Sequence, residues 1–141
     1  MGTLRVRAGA SRSFEIAPAE VPGLIDEIPG LAALAAMQPG ISMTVRGAQE
    51  LRVKESDRIT MLARGFASLG VTVEEYPDGF TIHGGPPMGG EADAAHDHRL
   101  AMAFAIAGSR ARGPVHVSGA GAVAVSYPGF FDELERIARG Q

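Results

Sequence analysis

The feature that most constrains this chain is that it repeats itself. Asp26 stands ahead of the apolar run LAALAAM, and Asp97 ahead of LAMAFAI, an offset of about 70 residues. The pieces GISMTVRGA and GPVHVSGA match at nearly the same offset. Periodicity gives each half one order: strand, strand, apolar helix, strand, amphipathic helix. In the first half these are Leu4–Arg7, Phe14–Ile16, Glu27–Met37, Ser42–Arg46 and Ser56–Leu69. In the second they are Val71–Glu75, Phe80–His83, Arg99–Gly108, Val115–Ser118 and Pro128–Ala138. The reading is an α+β chain, 1–141, of two duplicated units, about 1–70 and 71–141, each with its helices packed on one face of a small mixed sheet. Chance likeness between two apolar helices is the alternative.

The first helix of each unit is apolar nearly all round, and such a helix must be covered on every side. Two units leave that cover incomplete, so the chain reads as a portion of something larger, with an exposed flank that favours self-association. Gly84–Ala95, GGPPMGGEADAA, reads as the one long loop.

Composition removes several classes of function. With no cysteine, there is neither a disulfide nor a thiolate metal site nor a cysteine nucleophile. The four histidines, His83, His96, His98 and His116, have no zinc-type spacing, so no metal is expected. A net charge of -3 points away from nucleic acid as a partner. The most apolar stretches, Leu31–Met37 and Leu100–Ala107, fall well short of the ~20 residues of a membrane span. A soluble, cytoplasmic chain is expected. Any anion recognition must come from a few placed residues.

Those residues gather where three helices begin. Asp26 opens the first. The run LRVKESDRITML sets Lys54, Glu55, Asp57 and Arg58 around the start of the second, and DHRLAMAF sets Asp97, His98 and Arg99 at the third. Helix amino termini carry free N–H groups and the positive end of the macrodipole. With Lys54, Arg58 and Arg99 added, they suit phosphate and carboxylate ligands. A carboxylate such as Glu55 beside them can exchange a proton with a bound molecule. Plainer readings stand alongside. On spacing alone Asp26 reads first as an N-cap. KESDR reads equally as a solvated helix start with surface ion pairs. Asp97 reads as a cap, with His98 at the surface.

Taken together, LRVKESDR, DHRLAMAF about 40 residues later, IDEIPGLA upstream and AVAVSYPGFFDEL downstream resemble the 5-enolpyruvylshikimate-3-phosphate synthase family over nearly the whole chain. That resemblance implies two lobes, each of three βαβαββ-type units, with this chain a carboxyl-terminal fragment holding two units of one lobe. It implies transfer of the enolpyruvyl group of phosphoenolpyruvate to the 5-hydroxyl of shikimate 3-phosphate, by addition and then elimination, with no metal or organic cofactor. The absent N-terminal lobe would hold most contacts to shikimate 3-phosphate, so the isolated chain is expected to be inactive.

By the same resemblance, Asp26 is the base near the 5-hydroxyl and Glu55 exchanges a proton with the methylene carbon. Lys54 contacts shikimate 3-phosphate, while Arg58 and Arg99 hold phosphoenolpyruvate. Asp97 and His98 stand behind them. One departure is visible. Some family members carry a phosphoenolpyruvate-binding lysine before the final FP or YP pair, where this chain has Val125 and Ser126. The alternatives are a related transferase acting on UDP-N-acetylglucosamine, against which RVKESDR and DHR argue, and a non-catalytic domain of the same fold with residual anion binding.

Overall fold

A computed structural model describes residues 2, 3, 5, 7 and 9–140. The strand expected over Leu4–Arg7 rests on Leu4 and Val6, which lie outside the described residues.

Two sheets organise the chain. The larger has strand order β1-β2-β4-β3, formed by β1 (Phe14–Ile16), β2 (Ser42–Val45), β3 (Thr72–Tyr76) and β4 (Gly79–His83). β1 runs parallel to β2, Phe14 opposite Met43, and β4 runs antiparallel to both β2 and β3. The smaller sheet pairs β5 (Gly90–Asp93) and β6 (Val115–Ser118) in parallel. Alternation sets the faces. Met43, Val45, Phe80 and Ile82 are fully buried on one face of the large sheet, whereas Ser42, Thr44 and His83 point away from it.

Strand pairing in the larger sheet crosses residue 70. The hairpin β3–β4, which the sequence assigned to the start of the second unit, completes the first unit's sheet instead. Strand pairing is a tertiary choice, and β4 finds its partner in β2. The first unit is therefore a full βαβαββ motif spanning Phe14 to His83. The second runs β5, a helix over His98–Gly108, β6 and a helix over Phe130–Ala138.

Helices α2 (Ile28–Ala36) and α3 (Arg58–Ser68) cover the large sheet. α4 (His98–Gly108) packs against both and against β6. The α3 stripe of Ile59, Leu62 and Phe66 is buried, and Gly70, at φ +82°, closes the helix in the left-handed conformation that glycine adopts without strain. α3 and α4 come unusually close. Phe66 and Phe104 meet edge-to-face at 5.2 Å, and a Cβ on Gly65 would fall 2.2 Å from the Phe104 ring. α2 buries Ile28, Ala32, Ala33, Ala35 and Ala36 but leaves Gly30 and Leu34 exposed, so one side of this central helix has no cover among the described residues. Short helices α1 (Val21–Leu24) and α5 (Val123–Ser126) and the terminal α6 (Phe130–Ala138) complete the chain. No helix among the described residues is long and apolar enough to cross a membrane.

Candidate active site

α3 and α4 are each capped by an aspartate, and Arg58 of the first bonds to the capping Asp97 of the second. Asp57 accepts from the Thr60 N–H, at 3.1 Å, and starts α3. Asp97 accepts from the N–H groups of Arg99 and Leu100 and starts α4. Asp97 is delivered by a tight turn, its N–H donating to the Ala94 carbonyl at 2.8 Å across Ala95 and His96, both at positive φ.

Asp26 is not a cap. α2 begins after Glu27 with Pro29 in its first turn, and no side chain caps it. The Asp26 carboxylate turns instead to two guanidinium groups. Oδ1 accepts from Arg58 Nη1 at 3.2 Å, and Oδ2 lies 3.3 Å from Arg99 Nη2. Arg99 Nη1 also donates to the Asp26 carbonyl at 2.9 Å. A carboxylate free of backbone duties can thus bridge two helix starts.

Arg58 lies at the centre with a side chain that is 0% exposed. Its Nε donates to Asp97 Oδ2 at 2.7 Å and its Nη2 to Glu55 at 2.5 Å. A buried charge demands this kind of saturation. Burial alone would raise the Asp97 pKa, but the hydrogen bond and charge of Arg58 and the two capping N–H groups hold it below the ordinary aspartate range. Ser56 adds a further hydrogen bond to Asp97 Oδ2 at 3.2 Å.

The carboxylates on the outer side of this cluster remain accessible. The Asp26 and Glu55 side chains are 45% and 50% exposed. Arg99 is half-buried, and Lys54 stands exposed at the rim with no ion-pair partner among the described residues. From Asp26 and Arg99 an open, mainly apolar groove of about 420 Å³ runs past Leu31, Met102 and Ile106 to Phe130. The cation among its lining residues is Arg99, at the Asp26 end.

Asp26, Glu55, Arg58, Asp97 and Arg99 thus form one connected network, with Lys54 beside it. Among the described residues, the His98 side chain makes no hydrogen bond or ion pair with them. Sequence reasoning passed over Ser56, inside KESDR, and Arg52, two residues before it. Val125 and Ser126 are both exposed on α5.

A βαβαββ sheet unit with a second α/β unit docked on it, and a cluster of arginines and carboxylates where their helices begin, defines a class: an α+β protein with its charged side chains gathered where two helices start. Comparison with known proteins narrows this. The family model for EPSP synthase (3-phosphoshikimate 1-carboxyvinyltransferase) matches residues 2–134, and the chain belongs to that family. It is 46% identical over 141 residues to a 3-phosphoshikimate 1-carboxyvinyltransferase of Carboxydothermus hydrogenoformans, covering 99% of this chain and 33% of that protein. It is 51% identical over 127 residues to one of Xanthomonas euvesicatoria, covering 90% of this chain and 29% of that protein. A solved structure of EPSP synthase from Acinetobacter baumannii superimposes with a TM-score of 0.81 at 40% identity, covering 90% of this chain and 30% of that one. The chain spans about a third of the length of the curated relatives it matches.

Proposed function

We propose that this chain supplies part of the site at which the enolpyruvyl group of phosphoenolpyruvate passes to the 5-hydroxyl of shikimate 3-phosphate, the remaining contacts coming from a lobe outside it. The carrying observation is the Asp26 bridge between Arg58 and Arg99, with Glu55 on the same guanidinium. Two proton-exchanging carboxylates stand on two anion-binding arginines.

In this reading a bound phosphoenolpyruvate places its carboxylate and phosphate on Arg99 and on the outer donors of Arg58, displacing Asp26 and Glu55 from them. The freed Asp26 takes the proton of the attacking hydroxyl as its oxygen bonds to C2. Glu55 gives a proton to the methylene carbon, C3, forming a tetrahedral adduct. It then takes a proton back from C3 as the C2–O bond to phosphate breaks and phosphate leaves. Lys54 steadies shikimate 3-phosphate at the rim. Fixed arginines also hold the reactants in line.

The test is a titration of the chain with phosphoenolpyruvate followed by amide NMR. Shifts should concentrate at residues 54–58 and 97–100 and disappear in Arg99→Ala. Saturable shifts that survive this change would remove Arg99 from the site. Phosphate release from both substrates should be absent for the chain alone and appear on addition of the complementary lobe. Robust turnover by the chain alone would sink the divided site.

A further inference from the structure

Arg52 lies six residues before Arg58 and points the other way. Its Nε donates to the Pro77 carbonyl at 2.9 Å. Nη1 donates to Asp57, at 2.9 and 3.1 Å, and to Thr60 Oγ1 at 3.0 Å. Nη2 donates to the Tyr76 carbonyl at 2.7 Å and to Glu75 Oε1 at 3.2 Å. Every face of the guanidinium fork is engaged. The acceptors belong to two places, the first turn of α3 and the end of β3 with the turn that follows it. Glu75 closes the arrangement by accepting from Thr60 Oγ1 at 2.7 Å.

What this holds in place is the segment between the two arginines. Val53, Lys54 and Glu55 are exposed, and Lys54 to Ser56 belong to no helix or strand. Upstream, Leu51 anchors the short 3-10 turn Gln49–Val53 in the core. Downstream, Asp57 caps α3. Within the segment Glu55 accepts from Arg58 and Ser56 donates to Asp97, but Val53 and Lys54 have no such hold among the described residues; the backbone's course into it comes from the upstream end, where Arg52 grips both the strand hairpin and the cap. Lysine, a point charge on a flexible stem, cannot make these divergent planar bonds at once.

We propose that Arg52 is a positioning residue: its fork ties the β3–β4 turn to the start of α3 and so sets where Lys54 and Glu55 stand relative to Arg58. The proposal rests on the functional reading above. Arg52 touches no ligand and acts through the two residues that would.

The experiment uses the whole chain, with Arg52→Lys and, as a milder variant that keeps the arginine, Glu75→Gln. Backbone order parameters from ¹⁵N relaxation are measured without ligand. Phosphoenolpyruvate affinity is measured well below each variant's melting temperature. In Arg52→Lys the amides of residues 53–56 should fall from about 0.85 towards 0.6 or lower, while those of α4 stay rigid. Freeing Glu55, which must be ordered over the methylene carbon when phosphoenolpyruvate binds, should weaken phosphoenolpyruvate binding by roughly three- to tenfold, with shifts at Arg99 retained. Glu75→Gln should move both readings in the same direction by less, and it carries the test if Arg52→Lys does not fold. A lowered melting temperature with unchanged order at 53–56 and unchanged affinity of the folded protein would make Arg52 merely structural and overturn the proposal. If the wild-type chain shows no phosphoenolpyruvate shifts at all, the functional reading fails. Order at 53–56 in the variants then still decides whether Arg52 holds the segment.

Discussion

Arg58 donates its Nε–H to Asp97 across 2.7 Å, and neither side chain has any exposure to solvent. The same aspartate caps α4, so one carboxylate both neutralises the buried guanidinium and fixes the helix that carries Arg99. Asp97→Ala should therefore lower the unfolding free energy by about 3–5 kcal/mol, the usual loss when one member of a buried pair is removed. Asp97→Asn keeps a good N-cap and an acceptor but not the charge, and should lose roughly half as much. Urea unfolding of the three proteins checks the ranking. Equal losses for Ala and Asn would mean that the charge, not the cap, does all the holding.

The pair also predicts an acid limb. The folded chain holds Asp97 below the ordinary value of 3.8, as it does Asp57. The unfolded chain therefore binds more protons at low pH. The stabilisation is fully present above about pH 5, shrinks as pH falls through 3.8, and is gone below the depressed folded value. Unfolding free energy measured between pH 7 and pH 3 should fall more steeply for the wild type than for Asp97→Asn. Parallel curves would place the acid sensitivity elsewhere.

How much of this was legible in the sequence follows from how local each signal is. α3 and α4 were readable because their stripes and caps lie within a few neighbouring residues. Asp26 misled by spacing alone, since nothing nearby says whether a carboxylate turns to its own backbone or to an arginine 32 residues away. β5 read as loop because GEAD has no strand-forming side chain. Its pairing comes from β6 and from Gly89 and Gly90 at positive φ. The β3–β4 hairpin was recognised as two strands but given to the wrong sheet, because strand propensity carries no partner. Arg52 escaped for the same reason, since the hairpin acceptors that explain it lie 23 to 25 residues on.

Gly65 sets how near the two arginine-bearing helices can stand. Alanine gains about 1 kcal/mol of helix propensity over glycine at an exposed site. Here its methyl would meet the buried Phe104 ring. Gly65→Ala should be destabilising by about 1–3 kcal/mol net, as overpacking is. Adding Phe104→Leu should recover part of the loss, because the second change removes the atoms that the first one hits. A double mutant no more stable than the sum of the single changes would disprove the contact as the cause.

The turn that delivers Asp97 stores strain. Ala95 and His96 follow each other at φ 48° and 58°, a left-handed pair that suits Gly-rich turns. Histidine tolerates this region better than alanine, which has no side chain able to bond back to the turn. Such conformations cost of order 1–3 kcal/mol each, and here the Asp97 bonds to Arg58, Arg99 and Leu100 offset them. Ala95→Gly should relieve the strain, less the added entropy of the unfolded chain, for a net gain of roughly 1 kcal/mol. In a domain of this size that raises the melting temperature by about 2–4 °C. His96→Gly should give a smaller gain. A fall in melting temperature for Ala95→Gly would show that the turn is unstrained, and the rigidity of Asp97 would then need no strain to offset.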